Sequence, residues 1–124
     1  MKYHKIIKNI IHYSSHFILP FLISYLFFKE DWIILGIIMV ATILIDLDHL
    51  LANPIFDSNR CSIGFHPLHT KWALIIYFLM LLIPSNIWRA VALGCILHLI
   101  VDMIDCVLTK KWQLKKIIKL FYKK

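Results

Sequence analysis

The sequence predicts an all-α integral membrane protein: a bundle of four transmembrane helices with both termini in the cytoplasm and a basic amphipathic C-terminal tail. Three observations predict this class. First, 60% of the 124 residues are hydrophobic and only 17% are charged, whereas soluble domains are about half apolar and about a quarter charged. Second, the apolar residues fall into four long segments. Third, the basic residues lie almost entirely on one side of those segments.

The four segments have lengths near the roughly 20 residues that a helix needs to cross a bilayer. The predicted spans are residues 6–28, 32–51, 68–83 and 87–108. The third span is the shortest, and Pro67 suits the first position of its helix, where no N–H partner is required. Residues 1–109 are therefore predicted to form one transmembrane domain, and residues 110–124 a basic cytoplasmic tail.

The basic residues predict the orientation, because lysine and arginine are enriched on the cytoplasmic side of membrane proteins. With both termini inside, twelve of the fourteen basic residues face the cytoplasm, and only Lys29 and Arg89 face outward. The chain is therefore predicted to be a multi-pass protein of the inner (cytoplasmic) membrane. The seven lysines from Lys110 to Lys124 are expected to bind anionic lipid headgroups. Nucleic acid is not an expected partner, because no nucleic-acid-binding motif accompanies the net charge of +7.

The three cysteines are odd in number and form no CxxC pair, so the sequence predicts no disulfide framework. Cys95 and Cys106 are expected to be small packing residues within a helix. Cys61 lies five residues before His66 and is considered as an additional metal ligand.

Histidines and acids interrupt the apolar segments, although an ionisable residue at the centre of a membrane helix costs roughly 2.5–3.5 kcal/mol on insertion scales. Counting 1.5 Å per residue from the outer end of each span places them roughly 16–27 Å below the outer surface. All four spans thus bring polar groups to one layer, which predicts a buried metal site. The candidate ligands are His12, His16, Asp46, His49, His66, His69, His98 and Asp102.

Helical spacing places several of these ligands in pairs on one helix face. The pairs are His12 with His16, Asp46 with His49, and His98 with Asp102. Asp105 continues the last stripe. Asp48 would point about 160° away from Asp46 on a regular helix, so both could serve one site only if the helix ends or distorts there. Asn53 and Pro54 make such an ending plausible.

The chemistry of the ligand set predicts the cofactor and the remaining roles. Imidazole and carboxylate groups favour a divalent metal, with zinc expected first and manganese or iron as alternatives. There are enough ligands for one metal or for two. Asp48 or Asp105 is expected to act as the general base, and Arg60 and Lys71 to hold a phosphate.

Three stretches carry a family resemblance: Asp46 to Pro54, Arg60 to His69, and His98 to Asp102. Together with the histidines of the first span, they resemble the LexA-binding, inner-membrane predicted metal-dependent hydrolases (the YdjM-like group). The resemblance spans roughly His12 to Cys106. It implies an integral membrane protein with a metal-dependent hydrolase site.

The function expected from these observations is a membrane-embedded metal-dependent hydrolase that acts on a phosphoester or a lipid headgroup near the cytoplasmic leaflet. The motifs of serine hydrolases, P-loop proteins and HExxH zinc proteases are absent from the sequence. One alternative is a divalent-metal carrier or sensor that uses the same ligands. Another is a structural adaptor whose polar layer fixes helix packing. A homodimer is also considered, because four short helices enclose a site only in part.

Overall fold

The computed structural model describes residues 2–55, 57 and 60–108, and within that part of the chain every regular element is helical. Five α-helices follow one another: α1 (Lys2–Phe17), α2 (Leu19–Phe28), α3 (Trp32–Ala41), α4 (Lys71–Met80) and α5 (Asn86–Leu108). A ten-residue 3-10 helix (Thr42–Leu51) continues α3, and a short 3-10 turn (Pro67–His69) precedes α4. The predicted basic tail, residues 110–124, lies outside the described residues.

Three helical stretches are long and apolar enough to cross a membrane: Asn9–Phe28, Trp32–Leu51 and Asn86–Val107. They correspond to three of the four predicted spans. The remaining predicted span, 68–83, contains only the ten-residue helix α4. That helix is about 15 Å long at 1.5 Å per residue, which is half of a hydrocarbon core about 30 Å thick. The count of four spans and the cytoplasmic placement of the termini therefore stay predictions.

The first span is divided between α1 and α2 at Ile18. Pro20 explains the division, because its ring nitrogen cannot donate to the carbonyl of His16 one turn earlier. Hydrogen bonds from Ile18 N to Ser14 O (2.7 Å) and from Leu22 N to Ile18 O (3.3 Å) carry the chain across the break.

The helix of the third predicted span begins later than the sequence predicted. Pro67 starts the short 3-10 turn, and α4 begins only at Lys71.

Helix α5 packs against both α3 and α4 through small buried side chains, among them Ala90 and Ala92. A close approach lies at Gly94, where a Cβ atom would lie 2.7 Å from the methyl carbon of Thr42 and 2.8 Å from the carbonyl oxygen of Met39. Small residues at a crossing allow membrane helices to come this close. The start of the 3-10 helix is thereby held against α5, one turn before His98.

The outer surface of the described chain is largely apolar. Large side chains such as Leu26, Ile37 and Leu79 are more than half exposed. In water so much apolar surface would be unfavourable, whereas lipid tails can cover it at no such cost. The surface is compatible with a membrane protein.

Cys61 and Cys106 form a disulfide bond with a Cα–Cα distance of 5.7 Å. The prediction of no disulfide was therefore wrong for this pair, and Cys106 is not merely a packing residue. Because its sulfur is bonded to Cys106, Cys61 is also not free to act as a metal ligand. Cys95 is a buried free thiol, as expected of a small packing residue. The bridge ties the loop after the 3-10 helix to the C-terminal part of α5.

Candidate metal centre

The 3-10 helix from Thr42 to Leu51 explains how both aspartates of the Asp46–His49 stretch reach one region. A 3-10 helix has three residues per turn, so residues three apart lie on one edge, and successive residues are about 120° apart. Its three edges carry Ile43, Asp46 and His49; Leu44, Leu47 and Leu50; and Ile45, Asp48 and Leu51. Asp46 and Asp48 are thus on neighbouring edges. The sequence analysis required a helix distortion for Asp46 and Asp48 to serve one site. The change from an α-helix to a 3-10 helix is that distortion.

Four side chains form the centre of the site, which we call the central cluster: Asp46, His69, His98 and Asp102. Their four potential ligand atoms all lie within 4.8 Å of one another. Oδ1 of Asp46 is 3.2 Å from Nε2 of His69 and 3.2 Å from Nε2 of His98. Oδ2 of Asp102 is 3.4 Å from Nε2 of His69 and 3.7 Å from Nε2 of His98. Two imidazoles and two carboxylates facing one point are a donor set suited to a divalent metal.

Three separate elements supply the central cluster. Asp46 comes from the 3-10 helix, His69 from the short turn before α4, and the remaining two from successive turns of α5. His69 and His98 are almost completely buried, with exposed fractions of 1% and 3%. The cluster therefore depends on the tertiary fold and cannot form within any one segment.

Asp48 fixes the orientation of His69. Its Oδ2 lies 3.1 Å from Nδ1 of His69 and accepts a hydrogen bond of 2.8 Å from the backbone N–H of Leu68. The hydroxyl of Tyr77 donates to the carbonyl oxygen of Leu68, which holds the same turn from the other side (3.1 Å). A proton on Nδ1 of His69 directs the lone pair of Nε2 into the cluster. A carboxylate behind a histidine in this way is the usual support of a metal-ligating imidazole.

Nε2 of His69 is buried and lies 3.2 Å from a carboxylate oxygen of Asp46 and 3.4 Å from one of Asp102. Two carboxylates brought this close repel each other unless a positive charge lies between them. A cation placed between the nitrogen and the two carboxylates would satisfy all three groups at once. The residues present therefore fit a metal ion.

A second group combines His12 and His16 of α1 with Asp102. Nε2 of His16 lies 3.5 Å from Oδ1 of Asp102, and the two histidine rings meet edge to face with centroids 4.6 Å apart. Nδ1 of His12 is buried and has no hydrogen-bond partner. Asp102 thus presents one oxygen to this group and the other to the central cluster. A shared carboxylate of this kind can bridge two metal ions.

A third group lies on the loop side and contains Asp48, His49 and His66. Nδ1 of His49 is 3.2 Å from Oδ1 of Asp48, and the rings of His49 and His66 stack with centroids 3.8 Å apart. Nε2 of His49 pairs with the hydroxyl of Ser62 at 3.0 Å. Burial, and then repulsion from His49, hold the pKa of His66 below its usual value. His66 is therefore neutral near pH 7, the form in which imidazole binds a metal.

A cavity of about 510 Å³ opens beside these groups. Its polar lining includes His12, Asp46, His49, His66 and Asp102, and its apolar lining includes Ile43, Leu44, Leu47 and Leu50. This volume is within the range of small-molecule sites, roughly 300–1,000 Å³. Each of the three groups thus has at least two members on the cavity wall.

The structure brings all eight predicted ligands into the three groups and adds Asp48 to them. Asp105 and Arg60 line the cavity. The guanidinium of Arg60 donates to the carbonyl oxygen of Ile55 (2.8 Å) and lies 4.7 Å from the centre of the Phe65 ring. Lys71, at the start of α4, is not among the residues that line this cavity, and its ammonium lies 5.4 Å from the centre of the Trp72 ring.

Two functional contacts were missed by the sequence reasoning. Ser62 holds His49, and no spacing rule singles out a serine in an irregular loop. Asp48 supports His69 across 21 positions of the chain. The position of Asp48 between Asp46 and His49 indicated a role in the site, but an α-helical period turns its side chain away from that of Asp46.

Residues 6–109 match the model of DUF6122, a family of unknown function. No curated protein matches the chain, and neither does any solved structure.

Proposed function

We propose that this chain, which belongs to DUF6122, is a membrane-embedded metal-dependent hydrolase that cleaves a phosphoester. The observation that carries the proposal is the central cluster, in which ligand atoms of two imidazoles and two carboxylates lie within 4.8 Å of one another. This arrangement favours a cation over a purely structural polar layer, because neighbouring carboxylates repel each other unless a positive charge lies between them.

The double use of Asp102 supports a centre of two metal ions. The central cluster would hold one ion, and His12 and His16 would hold the second with the other oxygen of Asp102. Imidazole and carboxylate groups without a free thiol favour zinc, manganese or iron over Cu(I), and we expect zinc first. Divalent ions in such a centre would polarise a phosphoryl oxygen and lower the pKa of water.

The surrounding side chains supply the other roles. Asp48 is engaged by Leu68 and His69, so we assign it to positioning rather than to proton transfer. Asp105 lines the cavity three residues after Asp102 and is our candidate for the general base. Arg60 on the cavity wall is our candidate for contact with a phosphoryl oxygen, since guanidinium groups bind phosphate through paired hydrogen bonds.

The resemblance of the three sequence stretches to the YdjM-like predicted hydrolases supports catalysis over simple metal carriage. The open cavity beside the ligands supports it as well, because a purely structural metal site is closed by its protein ligands. A divalent-metal carrier or sensor is the second candidate, favoured by the excess of ligands over what one metal requires.

The test uses the full chain purified in detergent. We expect elemental analysis to find stoichiometric divalent metal, and a panel of phosphoesters to be hydrolysed in a way that a chelator abolishes. Asp102→Asn should lose both metal and turnover, whereas Asp31→Asn, in the exposed turn before α3, should keep both. Metal without turnover of any phosphoester would favour the carrier. Protein free of metal would favour the structural adaptor.

A further inference from the structure

We infer that the substrate of this site is a membrane lipid with a phosphoester headgroup, which enters sideways from the bilayer with its chain along the leucine edge of the 3-10 helix. The leucine edge is Leu44, Leu47 and Leu50. The inference rests on the proposed phosphoester hydrolase and specifies its substrate class.

The leucine edge exists because of the three-residue period of the 3-10 helix. Residues three apart lie in line, so the three leucines form one continuous apolar strip. The side chains are 62%, 59% and 59% exposed. The strip belongs to Trp32–Leu51, a stretch that is long and apolar enough to cross a membrane. In a bilayer such a strip faces acyl chains.

The neighbouring edge of the same helix carries metal ligands. Asp46 and His49 lie there, and both line the cavity together with all three leucines. One continuous space therefore joins the lipid-facing strip to the candidate metal groups. A molecule in this space can place a polar group at the metal while its hydrocarbon remains against the leucines.

Charge restricts the polar end of that molecule. Among the residues that the structure describes, four acids line the cavity, Asp46, Asp57, Asp102 and Asp105, against one arginine, Arg60. An anionic headgroup would be repelled by this lining unless bound cations reversed the local charge. Phosphate binding is therefore expected to require metal. A small soluble phosphoester would gain the same attraction to the metal but nothing from the leucine edge, so the apolar half of the cavity favours a lipid.

The experiment compares two substrates with the same phosphoester headgroup, one carrying long acyl chains in mixed micelles and one carrying a short, water-soluble chain. The metal-loaded full chain is measured beside Leu47→Gln and a control, Leu79→Gln. Leu79 is equally exposed but lies on α4, away from the cavity. We expect Leu47→Gln to lower kcat/KM for the long-chain lipid about tenfold, because the acyl chain loses its apolar contact with one side chain. Turnover of the soluble ester should change less than about twofold, and Leu79→Gln should affect neither.

Native mass spectrometry measures the metal-dependent binding of the long-chain lipid. This measurement separates the lipid inference from the proposed hydrolase function. Equal kcat/KM for both esters, with no effect of Leu47→Gln, would overturn the lipid inference and leave the hydrolase standing. Lipid binding that requires both metal and Leu47, without hydrolysis, would overturn the hydrolase and support the lipid site. Absence of both binding and hydrolysis would overturn both proposals.

Discussion

The carboxylate of Asp48 lies 3.1 Å from Nδ1 of His69, on the side of the imidazole opposite to the central cluster. Asp48 is nearly buried, with 5% of its surface exposed, and a backbone N–H holds it in place. The ring of His69 is thus fixed by a group that does not itself belong to the central cluster. The contact directs Nε2 of His69 toward Asp46 and Asp102.

The first prediction concerns this contact. Asp48→Asn should weaken zinc binding about 10–100-fold, the usual effect of losing a carboxylate behind a ligating histidine. The amide keeps the shape of the side chain but loses the charge that orients the histidine. Competition with a calibrated chelator measures the affinity. Asp31→Asn is the control, and an unchanged zinc affinity for Asp48→Asn would show that the contact is only structural.

The second prediction concerns the number of metal ions. If Asp102 is shared, His16→Gln should reduce the content from about two divalent ions per chain to about one, and Asp102→Asn should leave neither ion tightly bound. Elemental analysis of the purified variants gives the ratios. A content of about one ion in the unmodified chain, unchanged in His16→Gln, would limit the centre to the central cluster.

The third prediction tests the crossing of α3 and α5. Gly94→Val should destabilise the fold by about 1–3 kcal/mol, because overpacking at a tight contact forces the backbone apart. Met39 contributes a backbone oxygen to this contact and cannot move aside as a flexible side chain would. Thermal unfolding in detergent is the measurement. Ile104→Val, at an exposed position of α5, is the control. A melting temperature equal to that of the control variant would contradict the close approach.

The fourth prediction concerns the cysteines. Alkylation of the unfolded chain without reductant should modify only Cys95, and reduction should make all three cysteines reactive. Cys61→Ala should also lower the melting temperature, since a bridge between positions 45 apart is worth about 4 kcal/mol on the chain-entropy account. Mass spectrometry counts the modified thiols. Three modified cysteines before reduction would show that the pair is not bonded.

The sequence predicted correctly that some of these side chains share a helix face, and the reason is physical. His98 and Asp102 are one turn apart on a helix that the structure also contains, so their spacing predicted a shared face correctly. Depth counting uses the same kind of rule, a known rise per residue along a helix, and the membrane depths that it gives stay predictions. These local rules need no knowledge of tertiary contacts.

The features that the sequence did not predict depend on contacts distant in the chain or on a change of helix type. The Cys61–Cys106 bridge joins the loop to the end of α5, and nothing local to either cysteine indicates its partner. An α-helical period would turn Asp48 away from Asp46, and the sequence did not indicate that the expected distortion is a helix with three residues per turn. Helix α4 is shorter than its apolar segment, because the residues from Leu81 to Ile83 form turns before Pro84.

Because Thr42–Leu51 has three residues per turn, the edge on which each side chain lies depends on the number of residues before it in the segment. Inserting one residue before Asp46 would rotate everything after it by about 120°, and Asp46 and His49 would then occupy positions of the leucine edge. Inserting three residues would restore the order of the edges and shift them only along the axis. Insertions and deletions within this segment should therefore be tolerated only in multiples of three residues. The leucines of the leucine edge, by contrast, should be replaceable by other apolar residues.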